Sequence, residues 1–319
     1  MRVLVTGASG FAGQHLLRHL VDQGDSVFGV VRSAGGAELP SGVAPYSADL
    51  RDRLAVQTVV RVVRPEAVYH LAAHSSSRQS LEDPWGTIAN NMRAQMTLFD
   101  ALLAEGLRPR CLVVGSSEEY GAVGPEHLPT AEDAPLRPVT PYAVSKVSQD
   151  VLAYQYFAQH SLPTICVRPF THTGPGHDPR FIVPSFAQQI AEIENGIRPP
   201  ILHVGNLEAE RDFTDVRDIV RGYRLVLRHG TPGEVYNLGW GIAVRIGDLL
   251  EELLRMSSMR IRVVVDPDRY RPADVPRQQA NITKVQSCTG WHPEIPLQTT
   301  LRDTLTFWRR HVGRVPAAA

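Results

Sequence analysis

The sequence predicts an α/β fold, a doubly wound parallel sheet with a smaller C-terminal α/β domain. Through the first half of the chain, short apolar runs rich in β-branched residues alternate with longer segments of helical length. That is the pattern of strands covered by helices on both faces. Beyond Arg168 the rhythm gives way to PFTHTGPGHDP, crowded with proline, glycine and histidine, which marks a change of architecture.

Taken in order, strands are expected at Val3 to Val5, Val27 to Val31, Ala67 to Leu71, Leu112 to Val114 and Thr164 to Val167. Between them, Phe11 to Gln23, Arg51 to Arg64, Pro84 to Glu105 and Pro141 to His160 are long enough for helices. Strand then helix, repeated, is the order of a parallel sheet. Further on, helices are expected at Phe181 to Asn195 and Val216 to His229, the second packing back on the first domain. Residues 1–167 then form the first domain with 211–235 added to it, and 168–210 with 236–319 form the second. Trp291, Trp308 and the run Leu249 to Leu254 are the expected core of that second domain.

Composition narrows the function classes. The 319 residues carry 33 Lys plus Arg against 33 Asp plus Glu, a formal net charge of zero, so bulk charge draws the chain to neither nucleic acid nor an anionic membrane. With 43% hydrophobic and 21% charged residues, disorder is excluded as the main state. No apolar run approaches the roughly 18 residues of a membrane helix, and MRVLVTGASG reaches glycine too soon for a signal-peptide core. Cys111, Cys166 and Cys288 are far apart, and the first two lie in apolar runs, which reads as free thiols in a reducing, cytoplasmic setting.

The strand RVLVT runs into Gly7, Gly10 and Gly13, and the helix FAGQHLLRHL begins at once. Glycines there let the backbone approach a pyrophosphate, which sits on the free N–H groups at the helix start. This is the dinucleotide-binding signature of the Rossmann arrangement. Where an NAD site places an acid on the ribose 2′-hydroxyl, the second strand ends in Arg32 and Ser33. A cation and a hydroxyl suit a 2′-phosphate, favouring NADP(H), with NAD(H) left open. Asp49 and Leu50 are placed to flank the adenine, while a helix cap by Asp49 or Asp52 explains the acids equally well.

Tyr142 and Lys146 stand at i and i+4 on one helix. An ammonium beside a phenol lowers its pKa, the arrangement of a proton donor for a carbonyl undergoing hydride transfer. Ser116 and Ser117 follow the strand Leu112 to Val114. The histidine pairs His15/His19 and His70/His74 share helical spacing without the H-E-x-x-H pattern, so no metal is expected, and the first pair is expected on the outer part of its helix.

TGASGFAG, HLAAHSS, Asn91, GSSEEYG and PYAVSK, in that order and spacing, resemble an extended short-chain dehydrogenase/reductase over nearly the whole chain. Within that superfamily, RPFTHTGPGHDP, GNLEAERDFTDVRDIV, RYRPADVP and TGWHPEIPL are similar to the branch acting on GDP-mannose derivatives, which holds GDP-mannose 4,6-dehydratases and GDP-4-keto-6-deoxy-D-mannose reductases. The resemblance implies that Tyr142 protonates the C4 alkoxide, Lys146 tunes it, and Ser116 bonds the same oxygen with Ser117 beside it. It extends the cofactor site to Phe11, Ala12, Leu71, Ala72 and Ala73, and gives Asn91 the support of the catalytic helix. Arg211 and Arg271 become the candidates to clamp the substrate diphosphate, with Asn206 and Asp274 at the guanine or ribose and His172 facing the sugar. Thr171 stands where the family commonly has Asn.

Between the two activities, Glu119 in place of an apolar residue, Phe213-Thr214-Asp215, and the short chain lean toward the reductase. Glu118, at the position of the dehydratase base, leans the other way. A dinucleotide sensor on the same fold has no need of the Ser116, Tyr142 and Lys146 set. The resemblance also implies a GDP-linked hexose as substrate and a homodimer, or a tetramer, built on Pro84 to Glu105 and Pro141 to His160.

Overall fold

A computed structural model of the chain describes residues 1–32, 38–269 and 275–312. Six strands build the first half: β1 (Arg2–Thr6), β2 (Ser26–Val31), β3 (Val43–Ser47), β4 (Ala67–His70), β5 (Arg110–Val114) and β6 (Thr164–Pro169). The helices between them are α1 (Phe11–Asp22), α2 (Arg53–Val63), α3 (Ser77–Glu82), α4 (Pro84–Ala104) and α5 (Pro141–His160). Beyond lie β7 (His172–Thr173), α6 (Ile182–Glu194), β8 (Ile201–Val204), β9 (Glu210–Asp212), β10 (Thr214–Asp215), α7 (Val216–His229), β11 (Val235–Leu238), β12 (Ala243–Arg245), α8 (Ile246–Arg255), β13 (Arg262–Val265), α9 (Thr283–Thr289) and α10 (Leu297–His311).

The main sheet is parallel, in the order β11-β6-β5-β4-β1-β2-β3. Alternation along β1 sends Val3 and Val5 into one layer and Leu4 into the other. Leu16, Leu17 and Leu20 of α1 and Val216, Ile219, Val220 and Tyr223 of α7 fill the first layer. Val56, Val59, Val60 and Val63 of α2 join Leu98, Phe99 and Leu102 of α4 in the second. Each such aliphatic side chain contributes roughly 1.5–3 kcal/mol of burial, which is what fixes the faces. Strand order reverses between β1 and β4, the switch point at which doubly wound sheets bind ligands.

A separate core gathers Val183, Phe186 and Ile190 of α6, Leu249, Leu250 and Leu253 of α8, and Leu301, Leu305 and Trp308 of α10, beside the parallel pair β8–β13. Two elements expected there belong to the main sheet instead. The strand β11 pairs with β6 as the seventh strand, and Trp291, fully buried, packs in the α7 layer and donates its indole N–H to Asp218 O at 3.0 Å. A partner more than 70 residues away in sequence, together with a fully buried ring, outweighs the chain proximity that assigned Trp291 to the C-terminal core. The short strand β3 and helix α3 carried no strong apolar period and were not anticipated.

Candidate active site

The glycine loop lies at the switch point. Gly7 has φ +71°, and a Cβ there would sit 2.8 Å from Ala72 N, so the turn after β1 nests against the end of β4. A Cβ on Gly13 would collide with Gly7 O, which makes glycine the condition for α1 to start so close. Gly10 differs: a Cβ there would meet only Gly7 O, at 3.2 Å. Among the described residues only Gly7 O comes near a Cβ at Gly10, and no side chain caps α1, so the N–H groups at the helix start suit an anion. These residues fit a pyrophosphate-bearing dinucleotide.

At the outer edge, Arg32 is exposed at the end of β2, where Ser47 Oγ donates to its carbonyl at 3.3 Å; Ser33 lies outside the described residues. Asp49 is engaged by Arg51, whose Nη2 lies 2.6 Å from Oδ2, and these hydrogen bonds hold its carboxyl well below the usual range. The cap of α2 is Asp52, whose Oδ1 accepts from Leu54 N at 2.9 Å. Leu50 and Leu71 are half-buried against the two layers, and Ala72 N donates to Thr6 Oγ1 at 3.3 Å, with Ala73 next in the same loop.

Thr140 accepts from Ala143 N at 3.1 Å, and Pro141 opens α5, so the helix begins one residue before Tyr142. Ser80 of α3 takes the Tyr142 backbone N–H at 3.1 Å. The phenol is buried, with the Ser116 side chain beside it. Lys146 lies with its ammonium 5.9 Å from the centre of the Tyr142 ring and donates to Val114 O at 2.8 Å and to Gln149 Oε1 at 3.1 Å. The expectation that Lys146 lowers the phenol pKa is overturned for the protein by itself. Burial, with Glu118 adding to it, pushes Tyr142 up although the neighbouring Ser116 side chain works to lower it, and burial pulls Lys146 down to about 8.

Glu118 is held by Ser77 Oγ, at 2.8 and 2.7 Å to its two oxygens, and by Thr140 Oγ1 at 3.4 Å. Ser117 is buried in the single turn that follows Ser116. Asn91 of α4 donates to Ser145 Oγ at 2.9 Å and accepts from His74 N at 2.7 Å, tying α4, α5 and the loop after β4 together. Beneath Lys146 runs a buried chain that spacing alone does not reveal. Gln149 Nε2 reaches Asn91 O at 3.2 Å and His70 Nε2 at 3.4 Å, and His70 Nδ1 meets Thr6 Oγ1 at 2.8 Å. Ser77, Ser80, Gln149, His70 and Thr6 were therefore missed; the only sequence signal for any of them is Thr140-Pro141, which announces the helix they surround.

His172 sits after β6 with Nδ1 3.1 Å from Phe170 O and its ring stacked 6.2 Å from Phe11, so it lies beside the glycine loop. His177 stacks on the other side of this cluster, 4.1 Å from Phe11. His15 is not on the outer part of α1; its Nε2 lies 2.9 Å from Pro175 O. Arg211 of β9 donates to Glu210 O at 2.9 Å, and Asn206 Oδ1 accepts from Glu208 N at 2.9 Å. Arg271 and Asp274 lie outside the described residues.

A seven-stranded parallel sheet with a glycine turn at its switch point and a Ser-Tyr-Lys set beside it defines an extended short-chain dehydrogenase/reductase. Within that class, the family model described as GDP-mannose 4,6 dehydratase matches residues 4–304, and the chain belongs to that family. It is 33% identical over 311 residues to a GDP-6-deoxy-D-mannose reductase of Pseudomonas aeruginosa, covering 98% of each chain. Its fold matches the structure of RMD from Pseudomonas aeruginosa complexed with NADPH at a TM-score of 0.85 and 31% identity, over 97% of this chain and 100% of that one. A Thermus thermophilus UDP-glucose 4-epimerase in complex with NAD matches at a TM-score of 0.87 and 29% identity, over 97% and 99% of the chains.

Proposed function

We propose that the protein reduces the C4 ketone of GDP-4-keto-6-deoxy-D-mannose to a GDP-6-deoxyhexose such as GDP-D-rhamnose, using NADP(H) in preference to NAD(H). The observation that carries this reading is the buried Tyr142 phenol between Ser116 and a buried Lys146 fixed on Val114 O, in a chain whose end-to-end relative is a GDP-6-deoxy-D-mannose reductase. The bound nicotinamide supplies the hydride. Tyr142 is protonated and so has a proton to give to the oxygen that gains negative charge, and Ser116 adds a second hydroxyl to the same oxygen. Lys146, fixed on Val114 O, places positive charge below them. Arg32 provides the cation for a 2′-phosphate, while Asp49 is committed to Arg51 and does not compete for a ribose hydroxyl.

On the substrate side, Arg211 is assigned to the diphosphate, with Asn206 near the nucleoside and Arg271 and Asp274 completing the clamp. A homodimer is assigned to α4 and α5, which expose Trp85, Met96, Val144, Val151 and Tyr154; a monomer in sedimentation at micromolar concentration would contradict it. Among the described residues no helix is long and apolar enough to cross a membrane. The free thiols Cys111, Cys166 and Cys288 suit the cytoplasm, which fractionation would test.

A second reading has its own support. Glu118, held by Ser77 and Thr140 beside Tyr142, is a carboxylate suited to removing a C5 proton, as a GDP-mannose 4,6-dehydratase requires. Incubation with GDP-4-keto-6-deoxymannose and NADPH, and separately with GDP-mannose alone, separates the two. The reductase consumes one NADPH per keto sugar and leaves GDP-mannose untouched. Conversion of GDP-mannose without net cofactor change makes the protein the dehydratase.

A further inference from the structure

Glu119 is fully buried and takes no part in the chemistry above. Its Oε1 accepts the Ser116 backbone N–H at 2.8 Å and its Oε2 accepts Arg168 Nε at 3.0 Å. Both oxygens thus face N–H donors, a geometry that fits the carboxylate. Burial and the neighbouring Asp150 push its pKa up to about 8, against the opposing pull of Arg168, which also binds Asp150, and of the Ser116 N–H. Gly115 admits the carboxylate, since a Cβ there would collide with Glu119 Oε1. On the same turn, the Val114 carbonyl accepts from Lys146. The Glu119 carboxyl and the Lys146 ammonium therefore hold two adjacent peptide groups, Gly115–Ser116 by its N–H and Val114–Gly115 by its carbonyl.

We propose that Glu119 is a positioning residue for the reaction: from beneath the Val114–Gly115 turn its carboxylate fixes the Ser116 backbone and is the counter-charge that keeps the buried Lys146 an ammonium. The proposal deepens the reading above and rests on it for the roles of Ser116 and Lys146. Around that ammonium stand His70 of β4, the Cys166 thiol of β6, Tyr142 on the same helix, and Glu119. His70 is held neutral by burial, and Cys166 and Tyr142 keep their protons for the same reason, so Glu119 is the one carboxyl group among them. Burial draws Lys146 down to about 8, and Glu119 is the strongest influence opposing it.

The chain makes this directly measurable, because Lys146 and Lys284 are its only lysines. Lysine labelled with carbon-13 at Cε gives two signals, assigned with Lys284→Arg, and the Lys146 signal titrates without substrate or cofactor. In Glu119→Gln, which keeps an oxygen for the Ser116 N–H, the Lys146 midpoint should fall by about one pH unit. The alkaline limb of kcat/KM should move with it. Asp150→Asn, which also removes a carboxylate from Arg168, should leave the midpoint in place. An unmoved midpoint in folded Glu119→Gln, or an equal shift in Asp150→Asn, overturns the proposal. Should Glu119→Gln fail to fold, Gly115→Ala, which displaces the carboxylate, must lower the midpoint in its place, and a folded Gly115→Ala protein with an unmoved midpoint overturns it too. Because the midpoint needs no substrate, failure of the reductase reading leaves this test intact.

Discussion

The floor of the site and the lobe opposite it are built on different principles. Under Tyr142 and Lys146, Thr6, His70, Asn91, Ser145 and Gln149 are buried and joined by hydrogen bonds across four elements of the sheet and its helices. By contrast, Asn206 and Arg211 stand at the loop and strand preceding β10, half-exposed, Asn206 accepting from Glu208 N and Arg211 donating to the carbonyls of Glu210 and Pro276. A proton donor must be held in one geometry before the ketone arrives, and only a satisfied buried network does that. Phosphate recognition tolerates mobile guanidinium groups, because charge complementarity does not require a dry, preset floor.

The contrast is broken most severely at Tyr142. Tyr142→Phe should lower kcat by about 10³-fold or more while the NADPH dissociation constant, read by fluorescence titration, stays as it was. Turnover close to the unaltered rate would remove Tyr142 from the chemistry and leave the floor as architecture.

Arg211→Ala tests the opposite side. Losing a charge-assisted contact worth about 1.5–3 kcal/mol should raise KM for the sugar nucleotide roughly 10- to 100-fold with little change in kcat. If NADPH affinity fell and KM did not, Arg211 would belong with the cofactor, and the division of labour would be wrong.

A smaller effect sharpens the comparison through acid. Burial holds His70 and His177 at about 3, against an ordinary value of 6.5, so the unfolded chain binds protons there that the folded chain refuses. Their contribution to stability is complete above about pH 6.5 and is lost as pH falls toward 3, at about 1.4 kcal/mol per pH unit for each. Thermal unfolding between pH 6.5 and 4.5 should show that loss, to which His15, His19, His74 and His172, also lowered by burial, add, and His70→Gln should make it shallower. A melting temperature flat across this range would show that neither ring is protected from water.

Local spacing made much of this molecule legible. The glycine triplet between strand and helix, the i,i+4 pair Tyr142 and Lys146, and the seryl turn after β5 are each written within a few residues, so their physics is contained in the sequence. The principal helices were legible for the same reason, as Asp52 and Thr140 cap where their side chains allow. Ser77 on Glu118, His70 between Thr6 and Gln149, and Trp291 in the α7 layer join residues 41 to 79 positions apart, and no periodicity encodes such pairings.

Taken by itself, the sequence determined the parallel α/β architecture and the positions of the serine, tyrosine and lysine on which the proposed chemistry rests, because apolar period and turn chemistry act at short range. Tertiary structure alone decided the electrostatic state of that set. Tyr142 is pushed up and not down, and Lys146 is drawn to about 8, because the cost of burying charge depends on everything packed around it and outweighs the attraction that helical spacing suggests.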